Sequence, residues 1–282
     1  MMRKTQLLCN SQMRVSYLEA GKGAPLVLIH GVGMNAESWF PQIETLSAHF
    51  RVIAVDMPGH GESEAFSRPV ALPDYVAWLA EFLNQRPESR FAVAGHSMGA
   101  LITAGLAIDH PEQVSHAIVM SGVYRRSDAA RQAVLQRAQE LAAGDAQLDS
   151  PLARWFGGDD EREMALRERV GEWLQQVNLQ GYAAAYQAFA SGDEVYADRW
   201  DEMQCPVLVL TGELDANSNP QMARAMADAA PFGQAVIIAN ARHMVNLTDA
   251  DRVSQEMMAF LTAPVAAGKQ INTVAGVSHA DR

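Results

Sequence analysis

Six short apolar runs punctuate the chain: Leu26–Ile29, Val52–Val55, Phe91–Ala94, Ala117–Met120, Val207–Leu210 and Ala235–Ile238. None alternates strictly between apolar and polar positions. A run that is apolar throughout has both faces buried, as strands of a parallel sheet covered by helices do. Ahead of them, Thr5–Cys9 and Arg14–Glu19 flank a polar turn at Asn10-Ser11 and read as an antiparallel hairpin. With helical segments between the runs, the pattern predicts an α/β fold: a mostly parallel sheet of about eight strands with helices on both faces.

The rhythm breaks once. Between about Val123 and Trp200 no strand is predicted, while Ala129–Ala143, Asp160–Val177 and Leu179–Ala190 read as helices, punctuated by Pro151 and Gly157-Gly158. The expected organisation is a core of residues 1–122 and 201–263, a helical insertion over 123–200, and a flexible tail over 264–282, which is small, polar and aperiodic.

Composition narrows the class. With 49% hydrophobic and 20% charged residues among 282, the chain buries a sizeable core, which excludes a disordered or fibrous protein. A net charge of −11 opposes attraction to polyphosphate or an anionic bilayer, so neither nucleic acid nor membrane is an expected partner. Cys9 and Cys205 stand far apart beside apolar segments and read as buried thiols, not as a disulfide framework or zinc cluster. Leu7-Leu8-Cys9 is too short for a secretory signal and no run of about 20 apolar residues occurs, so a cytoplasmic location is expected.

The chemistry begins at Gly95-His96-Ser97-Met98-Gly99, between the strand Phe91–Ala94 and a helix running to about His110. A serine on such a strand-to-helix turn is held in strained backbone, and the flanking glycines let strand and helix pass without a Cβ clash. Small residues at Gly99, Ala100, Ala104 and Gly105 are expected to bring that helix close to the sheet. After Leu26–Ile29, the turn His30-Gly31-Val32-Gly33 presents backbone N–H groups, so Val32 and Met98 are the expected oxyanion donors. A nucleophilic serine needs a base. Of eight histidines, His243 lies just past the strand Ala235–Ile238, at the same end of the sheet. The acid orienting it is expected in the loop after Val207–Leu210, where Asp215 is preferred over Glu213, giving the order Ser, Asp, His. Asn219 and Pro220 read as a helix N-cap and first helical residue, and the Asp56–Ser63 loop as structural.

These motifs together resemble the α/β-hydrolase superfamily. The resemblance covers nearly the whole chain to about Leu261 and implies a Ser97–His243–Asp215 triad, no metal or organic cofactor, and an insertion that caps the pocket. Arg154-Trp155-Phe156 and Gly181–Tyr186 are further similar to cap segments of 3-oxoadipate enol-lactonases, implying that Arg154 and Trp155 contact a small-molecule substrate bearing a carboxylate. Asn217 and Asn219 after Asp215, and Asn246-Leu247-Thr248-Asp249 after His243, depart from that lactonase pattern. The leading expectation is a serine hydrolase of a small ester or lactone. A C–C hydrolase of ring-cleavage diketones or an amidase uses the same triad; cofactor-free dioxygenases and small-molecule receptors share the fold. Whether the protein forms a homodimer is left open.

Overall fold

The computed structural model describes residues 1–144, 149–158 and 160–264. It opens on the hairpin β1 (Met2–Leu7) and β2 (Arg14–Ala20), followed by β3 (Pro25–Ile29), α1 (Phe40–Leu46), β4 (Arg51–Val55), α2 (Leu72–Asn84), β5 (Phe91–His96), α3 (Met98–Asp109) and β6 (Val114–Met120). Four helices come next: α4 (Asp128–Ala142), α5 (Asp149–Trp155), α6 (Glu161–Gln176) and α7 (Leu179–Ala190). The sheet resumes with β7 (Val207–Gly212), α8 (Pro220–Ala229) and β8 (Gly233–Ile238), before α9 (Val245–Thr248) and α10 (Ala250–Thr262). The eight strands form one sheet ordered β1-β2-β4-β3-β5-β6-β7-β8. Only β2 pairs antiparallel, with β1 and with β4; β4 through β8 run parallel.

The unbroken apolar runs have a simple cause. In β3, Val27 and Ile29 point into one core while Leu26 and Leu28 point into the other, and β7 divides Val207 and Val209 from Leu208 and Leu210 in the same way. The first core holds α2, α3 and α8; the second holds α1 and α10. Every residue of α3 from Met98 to Ile108 is buried, which is why that helix lacks a polar face. Gly99 gives it its approach to the sheet, since a Cβ there would lie 2.2 Å from the Ile29 carbonyl oxygen. Gly105 serves a different contact, facing Tyr196 and Val76.

Three expectations need correction. The hairpin pairs nearer the N-terminus than expected, Leu7 opposite Arg14, so Cys9 sits in the turn and is exposed; only Cys205 is buried. Burial pushes the Cys205 thiol up to about 11. Pro151 does not break a helix. It stands in the first turn of α5, where a missing N–H costs nothing, and Arg154 and Trp155 form the last turn of that helix. The expected tail, apart from Pro264, lies outside the described residues.

Candidate active site

Ser97 occupies the step from β5 to α3 with φ 55° and ψ −111°, a conformation rare for a residue with a Cβ. Its neighbours make the turn feasible. A Cβ on Gly95 would fall 1.9 Å from the Gly99 carbonyl oxygen, so no larger residue fits at either end of the motif. The Ser97 N–H donates to the Met120 carbonyl at 2.9 Å, tying the elbow to β6. Met98 is the first residue of α3, so its N–H has no acceptor within the helix.

His243, between β8 and α9, donates Nδ1–H to Asp215 Oδ2 at 2.8 Å. The other carboxylate oxygen accepts from Asn217 N–H at 2.9 Å and Ser218 N–H at 3.1 Å. Burial pushes the Asp215 carboxyl up, but the charge and hydrogen bond of His243 and those two N–H groups outweigh it and hold the group at about 2. Glu213 faces elsewhere and accepts from the Asn240 N–H at 3.0 Å.

The His243 main chain is also held. His96 donates Nε2–H to the His243 carbonyl at 2.8 Å, and the two rings lie 4.9 Å apart. Ser121 Oγ donates to the same carbonyl at 3.4 Å, while its own carbonyl accepts from Ser218 Oγ at 2.6 Å. Ser218 N–H bonds Asp215, so Asp215, Ser218, Ser121 and His243 form a closed circuit. His96, Ser121 and Ser218 carry no motif of their own beyond the elbow, and none was singled out from the sequence.

The turn after β3 is set by two buried histidines. His30 donates Nδ1–H to the Gly31 carbonyl at 2.7 Å and accepts the Met57 N–H at Nε2, 2.9 Å. His60 accepts the Gly33 N–H at 3.1 Å. Val32 N–H donates to no acceptor among the described residues. Asp56 binds the Ala36 N–H and Arg3, at 2.8 and 2.7 Å, which makes its loop a structural brace.

Ser97, His243 and Val32 line a cavity of about 780 Å³, roofed by Arg154 and Trp155 of α5 and Tyr182 of α7. The Trp155 indole stacks on the His243 imidazole, with centroids 5.8 Å apart and planes 29° apart. No hydrogen bond joins Ser97 to His243 in this conformation; such contacts commonly tighten only when substrate binds. Met98 is fully buried and is not among the residues lining this cavity. Among the described residues no group of three or more His, Cys, Asp or Glu side chains is placed to hold a metal ion, and no helix is long and apolar enough to cross a membrane.

Residues 26–256 match the sequence profile of the alpha/beta hydrolase family. The chain belongs to that family. This alpha/beta hydrolase is 49% identical over 261 residues, 93% of its length and 98% of the relative's, to (E)-2-((N-methylformamido)methylene)succinate hydrolase of Acinetobacter baylyi. It is 28% identical over 89% of its length and 99% of the relative's to pimeloyl-[acyl-carrier protein] methyl ester esterase of Vibrio cholerae. Among solved structures, the enol-lactonase of Burkholderia xenovorans superposes with a TM-score of 0.81 at 25% identity, covering 92% of this chain and all of the other. The alpha/beta hydrolase reading made from the motifs is thereby established, and with it hydrolysis as the class of reaction.

Proposed function

We propose that this hydrolase cleaves the acyl bond of a small acidic compound through an acyl-enzyme, with Ser97 as nucleophile, His243 as base, Asp215 as orienting acid and α4–α7 as a cap over the pocket. The reading is carried by the 2.8 Å His243–Asp215 bond in the wall of a cavity shared with a strained Ser97. His243 Nε2 takes the Ser97 proton as Oγ attacks the carbonyl carbon, and the N–H groups of Val32 and Met98 bind the resulting oxyanion. His243 returns the proton to the leaving group, then activates water to release the acid.

The compound named for the 49% identical relative is an N-formyl enamide of a dicarboxylic acid. For this chain we take that compound class as the leading substrate, with the formyl C–N bond as the one cleaved: the formyl group passes to Ser97, the nitrogen leaves protonated, and water releases formate. An enol-lactone or ester, favoured by the likeness to the enol-lactonase, uses the same steps. The test is Ser97→Ala. It is expected to abolish labelling by a fluorophosphonate and lower kcat for formate release by at least about 10³, because only binding and oxyanion stabilisation survive. Retained labelling, or oxygen uptake during turnover, would overturn the assignment.

A further inference from the structure

The proposed acyl-transfer steps use both edges of the His243 ring and neither of its faces. Nδ1–H is bound to Asp215, and Nε2 is the atom that takes and returns the Ser97 proton. Two rings lie against the imidazole. His96 is tilted by 52° with its centroid 4.9 Å away, whereas the Trp155 indole of α5 stacks at 5.8 Å with planes only 29° apart. Nothing in those steps uses Trp155.

The stack is anchored on both sides. Phe156, the next residue, is buried in the core, and the N–H groups of Gly157 and Gly158 donate to Glu163 Oε1 at 2.6 and 2.8 Å. Gly157 lies against the Arg242 side chain, where a Cβ would fall 2.1 Å from Nε. Arg242 immediately precedes His243, so Trp155 on His243 and Gly157 on Arg242 dock the end of α5 onto the loop that carries the base.

An indole face attracts a cation within about 6 Å of its centroid, and more strongly where water is excluded. His243 is buried. It is neutral before Ser97 attacks and an imidazolium afterwards, so the stack favours the form that the reaction creates. We propose that Trp155 is a positioning residue for the base, its indole docked on His243 to hold the ring and stabilise the imidazolium formed during acyl transfer. The inference rests on the triad reading above and gives the cap a part in the chemistry, besides covering the pocket.

The pH dependence of kcat/KM tests it. Between about pH 5 and 8 the neighbours of His243 keep their charge: Asp215 is held at about 2, His96 at about 3, and burial pushes the Tyr182 and Tyr186 phenols up. Arg242 beside it and Arg154 on the same cavity are guanidiniums, which do not titrate there. Trp155→Leu keeps apolar bulk without the π face. On p-nitrophenyl acetate, a small neutral ester, it should lower the plateau about tenfold and move the acid limb about one pH unit lower. The two profiles should converge at low pH, because an already protonated ring is stabilised equally in free enzyme and transition state. Trp155→Phe should recover most of the loss, and thermal melting confirms that both variants are folded.

A reading without turnover comes from indole emission, which a neighbouring imidazolium quenches. In Ser97→Ala protein the emission should fall on acidification near the midpoint of the acid limb, and adding Trp155→Phe should abolish that step. Fluorophosphonate labelling reports the nucleophile separately, so its failure counts against the triad and not against the stack. A Trp155→Leu profile lowered equally at every pH, a loss confined to KM, unchanged kinetics, equal damage in the Leu and Phe variants, or emission that does not titrate would overturn the role of Trp155.

Discussion

Asp215 and Glu213 stand two residues apart in one loop, and the donors around each decide which serves His243. Asp215 receives an imidazole N–H on one oxygen and two backbone N–H groups on the other, so its charge is fully used and its direction fixed. Glu213 is spent on the backbone of Asn240. Asp215→Asn should therefore keep the fold and lower kcat by about 10⁴, since a carboxamide no longer stabilises the imidazolium or holds the required tautomer. Glu213→Gln should leave kcat close to the parent. Steady-state kinetics on the two variants check this, and the reverse ranking would move the acid to Glu213. The strained turn at Ser97 and the pairing of His243 with Asp215 were legible in the sequence because a glycine spacing and the chain order of strand-end loops mark them. The clamp on the His243 carbonyl was not. His96 and Ser121 act through a main-chain atom more than 120 residues distant, and no local pattern encodes that pairing.

Between elements, the contact that seats α7 over the sheet is made by two glycines. Gly59, at φ 75°, meets Gly181 so closely that a Cβ on Gly181 would lie 2.3 Å from the Gly59 carbonyl oxygen. Backbone on both sides leaves nothing flexible to yield. Gly181→Ala should push α7 outward, destabilising the protein by about 1–3 kcal/mol and lowering activity by displacing the adjacent Tyr182. A melting curve and a kcat/KM measurement test both parts; a stable, fully active variant would show that α7 is not held there. Elements with strong periodicity were read closely from sequence, as Leu179–Ala190 shows. Helix α5 was missed because Pro151 signals a break unless the helix begins two residues before it. The register of β1 was misread for a related reason: an edge strand whose side chains are largely exposed carries no hydrophobic pattern to fix its ends. Tyr182 looked like part of a cap segment, and only its closeness to Gly33 reveals its place beside the turn after β3.

Across the whole molecule, building a site at the end of a doubly covered sheet forces His30, His60 and His96, besides His243, into the interior, and this ties global stability to pH. Burial lowers His30 to about 4; burial, with the charge of His30, lowers His60 to about 3; burial, with the charge of His243, lowers His96 to about 3. All three serve the native turns as neutral rings through hydrogen bonds that fix their tautomers. In the unfolded chain each titrates near 6.5, so between about pH 6.5 and 4 the unfolded state binds about three more protons than the native one. Each group has a depressed native pKa, and its contribution is present above 6.5 and lost as the pH falls toward the native value. The slope of unfolding free energy should approach about 4 kcal/mol per pH unit in that window, at about 1.4 kcal/mol per proton. Asp215, held at about 2, extends the loss in the same direction below about pH 4. Urea unfolding from pH 8 to 5 should show a plateau above neutrality and then a steep fall, and His60→Asn should remove one proton from the uptake. A flat profile between pH 7.5 and 5.5 would mean that these rings are charged in the native state, which for His30 and His60 their acceptor roles toward the Met57 and Gly33 N–H groups do not permit.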